Sequence, residues 1–195
     1  FVQSIEFSSA NNVILTGYVW QKKVKDVRGD RTSFYGLIFP EAESLDLKKA
    51  YESEEVVGWY FTTTLRQQFD YSKYPFDRED VWIRLWPENF QENIVLTPDF
   101  GAYDVIRPDS RAGLERNFVL EGWKIQNSFF SYRTNSYNMN FGIEGYPRQR
   151  VFPELYFNVG LKRDFIDPFI SDMIPIVIVA FLVFAGAKEA GSGLL

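Results

Sequence analysis

Hydrophobic and polar positions alternate along most of the chain. Val13, Leu15, Gly17 and Val19 interleave with Ile14, Thr16, Tyr18 and Trp20, a two-residue period that predicts a half-buried strand. Val81, Ile83 and Leu85 alternate in the same way with Trp82, Arg84 and Trp86. Further strands are predicted over 33–39, 54–69, 94–97, 118–132, 137–143 and 153–162, where β-branched and aromatic residues concentrate. Phe1 opens inside a strand with no Met before it, so the chain reads as a fragment of a longer protein. Leu45 to Tyr51 reads as one or two helical turns. Turn residues Pro40, Pro75, Pro87, Pro98, Pro108 and Gly145-Tyr-Pro147 separate the runs, and 101–117 reads as a long polar loop. Many short strands at this spacing predict an all-β fold, a β-sandwich.

The pattern changes at the end. Met173 to Ala187 is apolar on every side for 15 residues and is closed by Lys188. A surface helix would keep a polar face. Extending the run back to Phe165 reaches the length of a membrane span and places Asp167, Ser171 and Asp172 at the interface, where polar groups are tolerated. The competing reading is a buried C-terminal element of a soluble domain. Two parts are therefore expected: a β-sandwich over 1–163 and a transmembrane α-helix with the start of the next loop over 164–195.

Composition narrows the chemistry. The 195 residues include no Cys and no His, which removes disulfides, thiolate sites, the Ser-His-Asp arrangement and nearly all catalytic zinc sites. A net charge of −5 argues against a nucleic-acid partner. Aromatics reach 18% of the chain, enough to build both a core and a ligand cage. Asp99, Asp104, Asp109, Glu115 and Glu121 gather around the long loop and offer oxygen ligands for calcium, although no twelve-residue calcium-loop pattern is present. Glu88 and Glu92 beside Trp86 are the only acids placed like a hydrolase pair, and they also fit a solvated turn. No enzyme is expected.

Gln67 to Val81 reads QQFDYSKYPFDREDV. Its core, Tyr74-Pro75-Phe76-Asp77, with Phe69 five residues before Tyr74, resembles the signature loop of pentameric ligand-gated ion channels. The family's two loop cysteines would fall at Gln67 and Val81, so the resemblance is to the prokaryotic type that lacks them. Leu161-Lys162-Arg163 before the apolar run, with Pro175 twelve residues after Arg163, is similar to the family's entry into its first membrane helix. Tyr18-Val-Trp20-Gln21 and Gly122-Trp123-Lys-Ile also resemble family strands. Between Val24 and Glu54 the chain departs from the family, whose Trp-x-Pro-Asp segment is missing here.

The resemblance implies an immunoglobulin-like extracellular or periplasmic sandwich that binds agonist, followed by the first of four pore-domain helices. It implies a homopentamer in the cell membrane, multi-pass in the full-length protein, opened by a small-molecule or ionic agonist at subunit interfaces. By position, Trp20, Trp86, Phe90, Tyr132, Tyr137 and Tyr146 would supply the ligand box, with Tyr137 and Tyr146 expected to be exposed. Tyr74, Pro75, Phe76, Asp77, Arg163 and Pro175 would couple ligand to pore, with Asp77 and Arg163 as an ion pair and Pro175 kinking the helix. Calcium through Asp99, Asp104, Asp109 and Glu115 would be a modulator. The alternative reading is a membrane-anchored β-sandwich sensor or carbohydrate-binding module.

Overall fold

The computed structural model describes residues 1–25, 32–33, 36–90, 94–104, 107–118, 120–145, 151–166 and 169–192. These residues are mostly β-strand, in two antiparallel four-stranded sheets with one apolar helix at the C-terminal end. The first sheet has the order β1-β2-β7-β6, with β1 Val2–Phe7, β2 Asn12–Lys22, β7 Val56–Arg66 and β6 Ala42–Glu52. The second has the order β5-β8-β10-β9, with β5 Leu37–Ile38, β8 Arg78–Pro87, β10 Val151–Arg163 and β9 Trp123–Ser136. A short ribbon pairs β3 Val24–Lys25 with β4 Thr32–Ser33.

The two sheets share one core. Val13 and Leu15 of β2 and Phe61 and Leu65 of β7 meet Val81 and Ile83 of β8 and Phe157, Val159 and Leu161 of β10. Phe7 stacks on Trp123 across the sandwich at a centroid distance of 5.1 Å. Strand β10 is buried on both faces: its other register, Glu154, Tyr156 and Asn158, is covered as well. Gly17 serves a close approach. A Cβ there would lie 2.1 Å from the Phe1 carbonyl oxygen, so β1 could not cross β2 at that point.

Several expected elements take another form. Leu45 to Tyr51 is not helical; it belongs to β6, an edge strand paired only with β7 and studded with exposed Asp46, Lys48, Lys49 and Glu52. Such charge blunts an open edge against pairing with other chains. Ile94 to Thr97 forms no strand. Strand β9 ends at Ser136, and the segment expected as a strand over 137–143 turns instead, through Phe141 and Gly142 at φ 53° and 74°. The long loop carries 3₁₀ turns at Phe100–Ala102 and Pro108–Ser110.

The C-terminal segment is helical. A π-turn over Phe169–Met173 leads into α1, Ile174–Ser192. Pro175 sits at the join of the two. It lacks an N–H and crowds the carbonyl four residues back, and the wider turn directly before it accommodates both defects. Phe169–Ala187 is 19 residues long, apolar and unburied. Its length of roughly 28 Å suits a bilayer core. The helix is long and apolar enough to cross a membrane, and an all-round exposed apolar helix is not stable in water without a cover.

Candidate functional site

Two clusters of functional side chains lie at opposite ends of one strand pair, β8 and β10. The first is the junction between sandwich and helix. After β7, Asp70 accepts a hydrogen bond from the Ser72 N–H and starts a 3₁₀ turn over Tyr71–Lys73. The loop then passes through Tyr74-Pro75, a cis peptide, to Asp77. The β8–β10 register pairs Arg78 with Lys162 and so sets Asp77 beside Arg163. The Arg163 N–H donates to the Asp77 carbonyl at 3.2 Å. The side chains then close a two-pronged pair: Nε donates to Oδ1 at 2.6 Å and Nη2 to Oδ2 at 2.8 Å.

Asp77 is only 1% exposed. A bidentate pair of this kind fixes orientation as well as charge. The guanidinium rests over Trp123, 4.1 Å from the ring centroid, with Tyr74 at 5.1 Å and Tyr71 at 5.8 Å. Hydrogen bonding to Asp77 pushes Arg163 above the ordinary arginine value. The loop reaches the helix through two contacts. The Tyr74 hydroxyl donates to Asp172 Oδ2 at 3.2 Å, and Phe76 packs against Phe165 at 5.4 Å.

Two residues here escaped the sequence reading. Gln67 is buried, and its side-chain amide clasps the Trp82 main chain: Nε2 donates to the carbonyl, and Oε1 accepts from the N–H at 3.3 Å. This ties the two ends of the loop between β7 and β8 together without a covalent bond. Glu79 is buried beside the ion pair; Oε2 accepts from the Asp70 N–H at 3.3 Å while Oε1 has no partner among the described residues. Burial pushes its carboxyl above the ordinary range. Its register with Val81 and Ile83 was the available signal.

The second cluster lies on the outer face of the same sheet. Trp86, Phe90, Tyr137 and Phe141 meet at centroid distances of 5.2 to 6.0 Å, mostly edge to face. A cleft of about 20 Å³, room for one water, lies among them with Met139, Phe152 and Glu154. Polar groups back the rings. Tyr137 donates to Glu154 Oε1 at 2.6 Å, and Arg84 Nη1 donates to the Tyr137 oxygen at 2.9 Å and to Glu154 Oε2 at 3.2 Å. Asn135 and Tyr156 also donate to Glu154, whose side chain is 1% exposed.

Arg84 pairs with Glu41 as well, so two carboxylates share one guanidinium. Burial raises the Glu41 carboxyl against the pull of Arg84. Burial and the bond to Glu154 raise the Tyr137 phenol, which stays a neutral donor. Tyr137 is thus half-buried and not the exposed ring its Gly- and Pro-rich surroundings predicted. Phe141, Arg84, Glu41 and Glu154 were not among the expected site residues.

The remaining candidates lie elsewhere. Alternation puts Tyr132 in the register of Leu155, on the opposite face of the sheet from Glu154, and its hydroxyl donates to the Leu96 carbonyl at 2.7 Å. Trp20 Nε1 donates to Asp99 Oδ2 at 3.1 Å, away from the Trp86 cluster. The expected six-ring box is therefore divided within one chain, and Tyr146 lies outside the described residues. Asp99 is occupied by Lys22 at 2.6 Å and by Trp20. Among the described residues no three acids converge as a metal-ion cage. Glu88 is exposed and Glu92 lies outside the described residues.

No protein-family model matches this chain, and no curated protein matches it.

Proposed function

We propose that this chain is the agonist-binding sandwich and first membrane helix of a pentameric ligand-gated ion channel, with an immunoglobulin-like domain outside the membrane and a homopentameric assembly. One observation carries the reading. The same two antiparallel strands join the aromatic cluster to the helix junction. Asp77 precedes β8 and Trp86 lies near its end; Glu154 lies near the start of β10 and Arg163 closes it. Nine residues of extended chain separate the members of each pair, roughly 30 Å.

A displacement at Trp86 and Glu154 can therefore travel along a hydrogen-bonded ladder to Asp77 and Arg163, then through Tyr74 to Asp172 on the helical segment. Agonist would shift a closed–open equilibrium only by its difference in affinity for the two states. The cluster favours a small cationic agonist. Tyr137 and Trp86, whose ring Arg84 approaches to 5.3 Å, offer aromatic surface, and Arg84 is outnumbered by Glu41 and Glu154. A cation on such rings gains about 0.5–2 kcal/mol per contact.

The test is electrophysiology of the full-length protein in planar bilayers, with a panel of small amines, carboxylates and calcium. An amine-evoked current that Trp86→Ala weakens at least tenfold, and that Tyr74→Phe right-shifts while agonist binding is retained, is the expected result. Currents indifferent to both changes, or absent with every probe, overturn the proposal.

A further inference from the structure

A cavity larger than the one at the aromatic cluster lies elsewhere. It has a volume of about 430 Å³ and lies between the two sheets, at the end of the sandwich away from Asp77 and Arg163. Phe61 of the first sheet and Leu85, Phe130 and Leu155 of the second form its walls, and Ile94 to Asp99 runs along its mouth. This volume falls within the range of ligand pockets, ~300–1,000 Å³, and far exceeds the ~150 Å³ that suffices for benzene in an apolar core. Sandwich interiors are otherwise close-packed, so an open cleft of this size at one end of the core is a departure that leaves room for a ligand.

The wall chemistry selects that occupant. Among the described side chains of the wall, only Lys22 and Asp99 are charged, and they pair with each other at 2.6 Å. No uncompensated side-chain charge remains to draw an ion. Water gains little among aliphatic and aromatic surfaces. One polar group stands ready. Gln21 lines the cavity, and its Nε2 donates to the Gly36 carbonyl at 3.1 Å. Its Oε1 has no partner among the described residues and no surface open to the cavity, so a ligand meets it only after the amide turns. A buried acceptor left unpaired is costly, and a ligand donor would satisfy it.

Here we propose a second small-molecule site inside the sandwich, for a neutral, flat aromatic molecule that carries one N–H or O–H donor to Gln21 Oε1. The segment Ile94 to Asp99 explains the entry route. It has no ladder partner, and Tyr132 and Trp20 pin it by one side-chain hydrogen bond each, to Leu96 and Asp99. Those two rings stand beside the entrance of this cavity. The site is separate from the proposed agonist cluster, because Trp86 and Glu154 point out of the sheet whose inner face presents Leu85 and Leu155.

The experiment is calorimetric titration of indole and of N-methylindole into the full-length protein in lipid nanodiscs, with empty nanodiscs as baseline. We expect saturable binding of indole, about tenfold tighter than that of N-methylindole, which lacks the donor. Partition into lipid alone predicts no such preference, since the methylated compound is the more apolar. Gln21→Leu should abolish the difference between the two probes, and Leu155→Phe should weaken both by shrinking the space. If Leu155→Phe does not fold, the Gln21→Leu comparison decides. No saturable indole binding above the nanodisc baseline, or an unchanged preference in Gln21→Leu, overturns the proposal. Neither outcome depends on channel activity, so its failure is distinct from failure of the channel reading.

Discussion

Replacing Arg163 by Gln leaves the Asp77 carboxylate buried without its counter-ion. Asp77 is 1% exposed and the Arg163 side chain 15%, so water cannot take over the lost bonds at Asp77. Breaking a buried pair from one side costs about 3–5 kcal/mol. For a chain of this length, 1 kcal/mol moves the melting temperature by about 2–4 °C. Arg163→Gln should therefore melt roughly 6–20 °C below the parent. Asp77→Asn should be milder, because the stranded guanidinium keeps access to solvent and its seat on Trp123. The double variant, with no buried charge left, should lose only about 1–2 kcal/mol, less than either change predicts by addition. Tryptophan emission during thermal unfolding, at one scan rate for all four proteins, reads the cycle. Additive losses, or an Arg163→Gln protein that melts within 2 °C of the parent, would refute the claim that a desolvated pair holds the junction.

Other expectations follow from the same contacts. Glu79 has a carboxyl raised by burial above its ordinary 4.5. The folded state thus holds this proton more tightly than the unfolded state, and its contribution to stability is lost as pH rises through the raised value. Glu79→Gln should flatten the melting-temperature profile just above pH 4.5 and raise stability at pH 7; identical slopes in the two proteins would contradict this. Tyr137→Phe deletes the 2.6 Å bond to Glu154 and should lower stability by about 1–3 kcal/mol in urea unfolding, an effect that vanishes if the hydroxyl is idle. Val179→Asp puts a charge on the exposed apolar helix, at about 2.5–3.5 kcal/mol against insertion. Membrane fractionation should show the variant released or degraded, and full retention would argue against a spanning helix.

Legibility in the sequence followed the range of each interaction. Strands β2, β7, β8 and β10 were readable because their alternation is local and long. Tyr74 to Asp77 and Arg163 were readable as a spacing pattern, and Pro175 as a helix-entry mark. Leu45 to Tyr51 misled because Leu45, Leu47 and Tyr51 also fit a short helix; pairing with β7 overrides that local preference. Ile94 to Thr97 has strand composition, but a strand needs an edge, and the edge is decided elsewhere in the chain. The Gln67 clasp and the bond from Tyr137 to Glu154 join residues 15 and 17 positions apart through side-chain geometry, which periodicity does not encode. Glu79 could have been found: an acid in register with Val81 and Ile83 is a polar group facing the core. The separation of Tyr132 from Trp86 and Glu154 required the β8–β10–β9 register, which fixes which side chains look inward.

The central claim is pentameric assembly around a pore, and it is tested most directly by native mass spectrometry of the full-length protein released from detergent. The account predicts a single dominant species of five copies. One or two copies would contradict it and leave a membrane-anchored β-sandwich sensor, in which the pair of Asp77 and Arg163 merely braces the sandwich above its anchor.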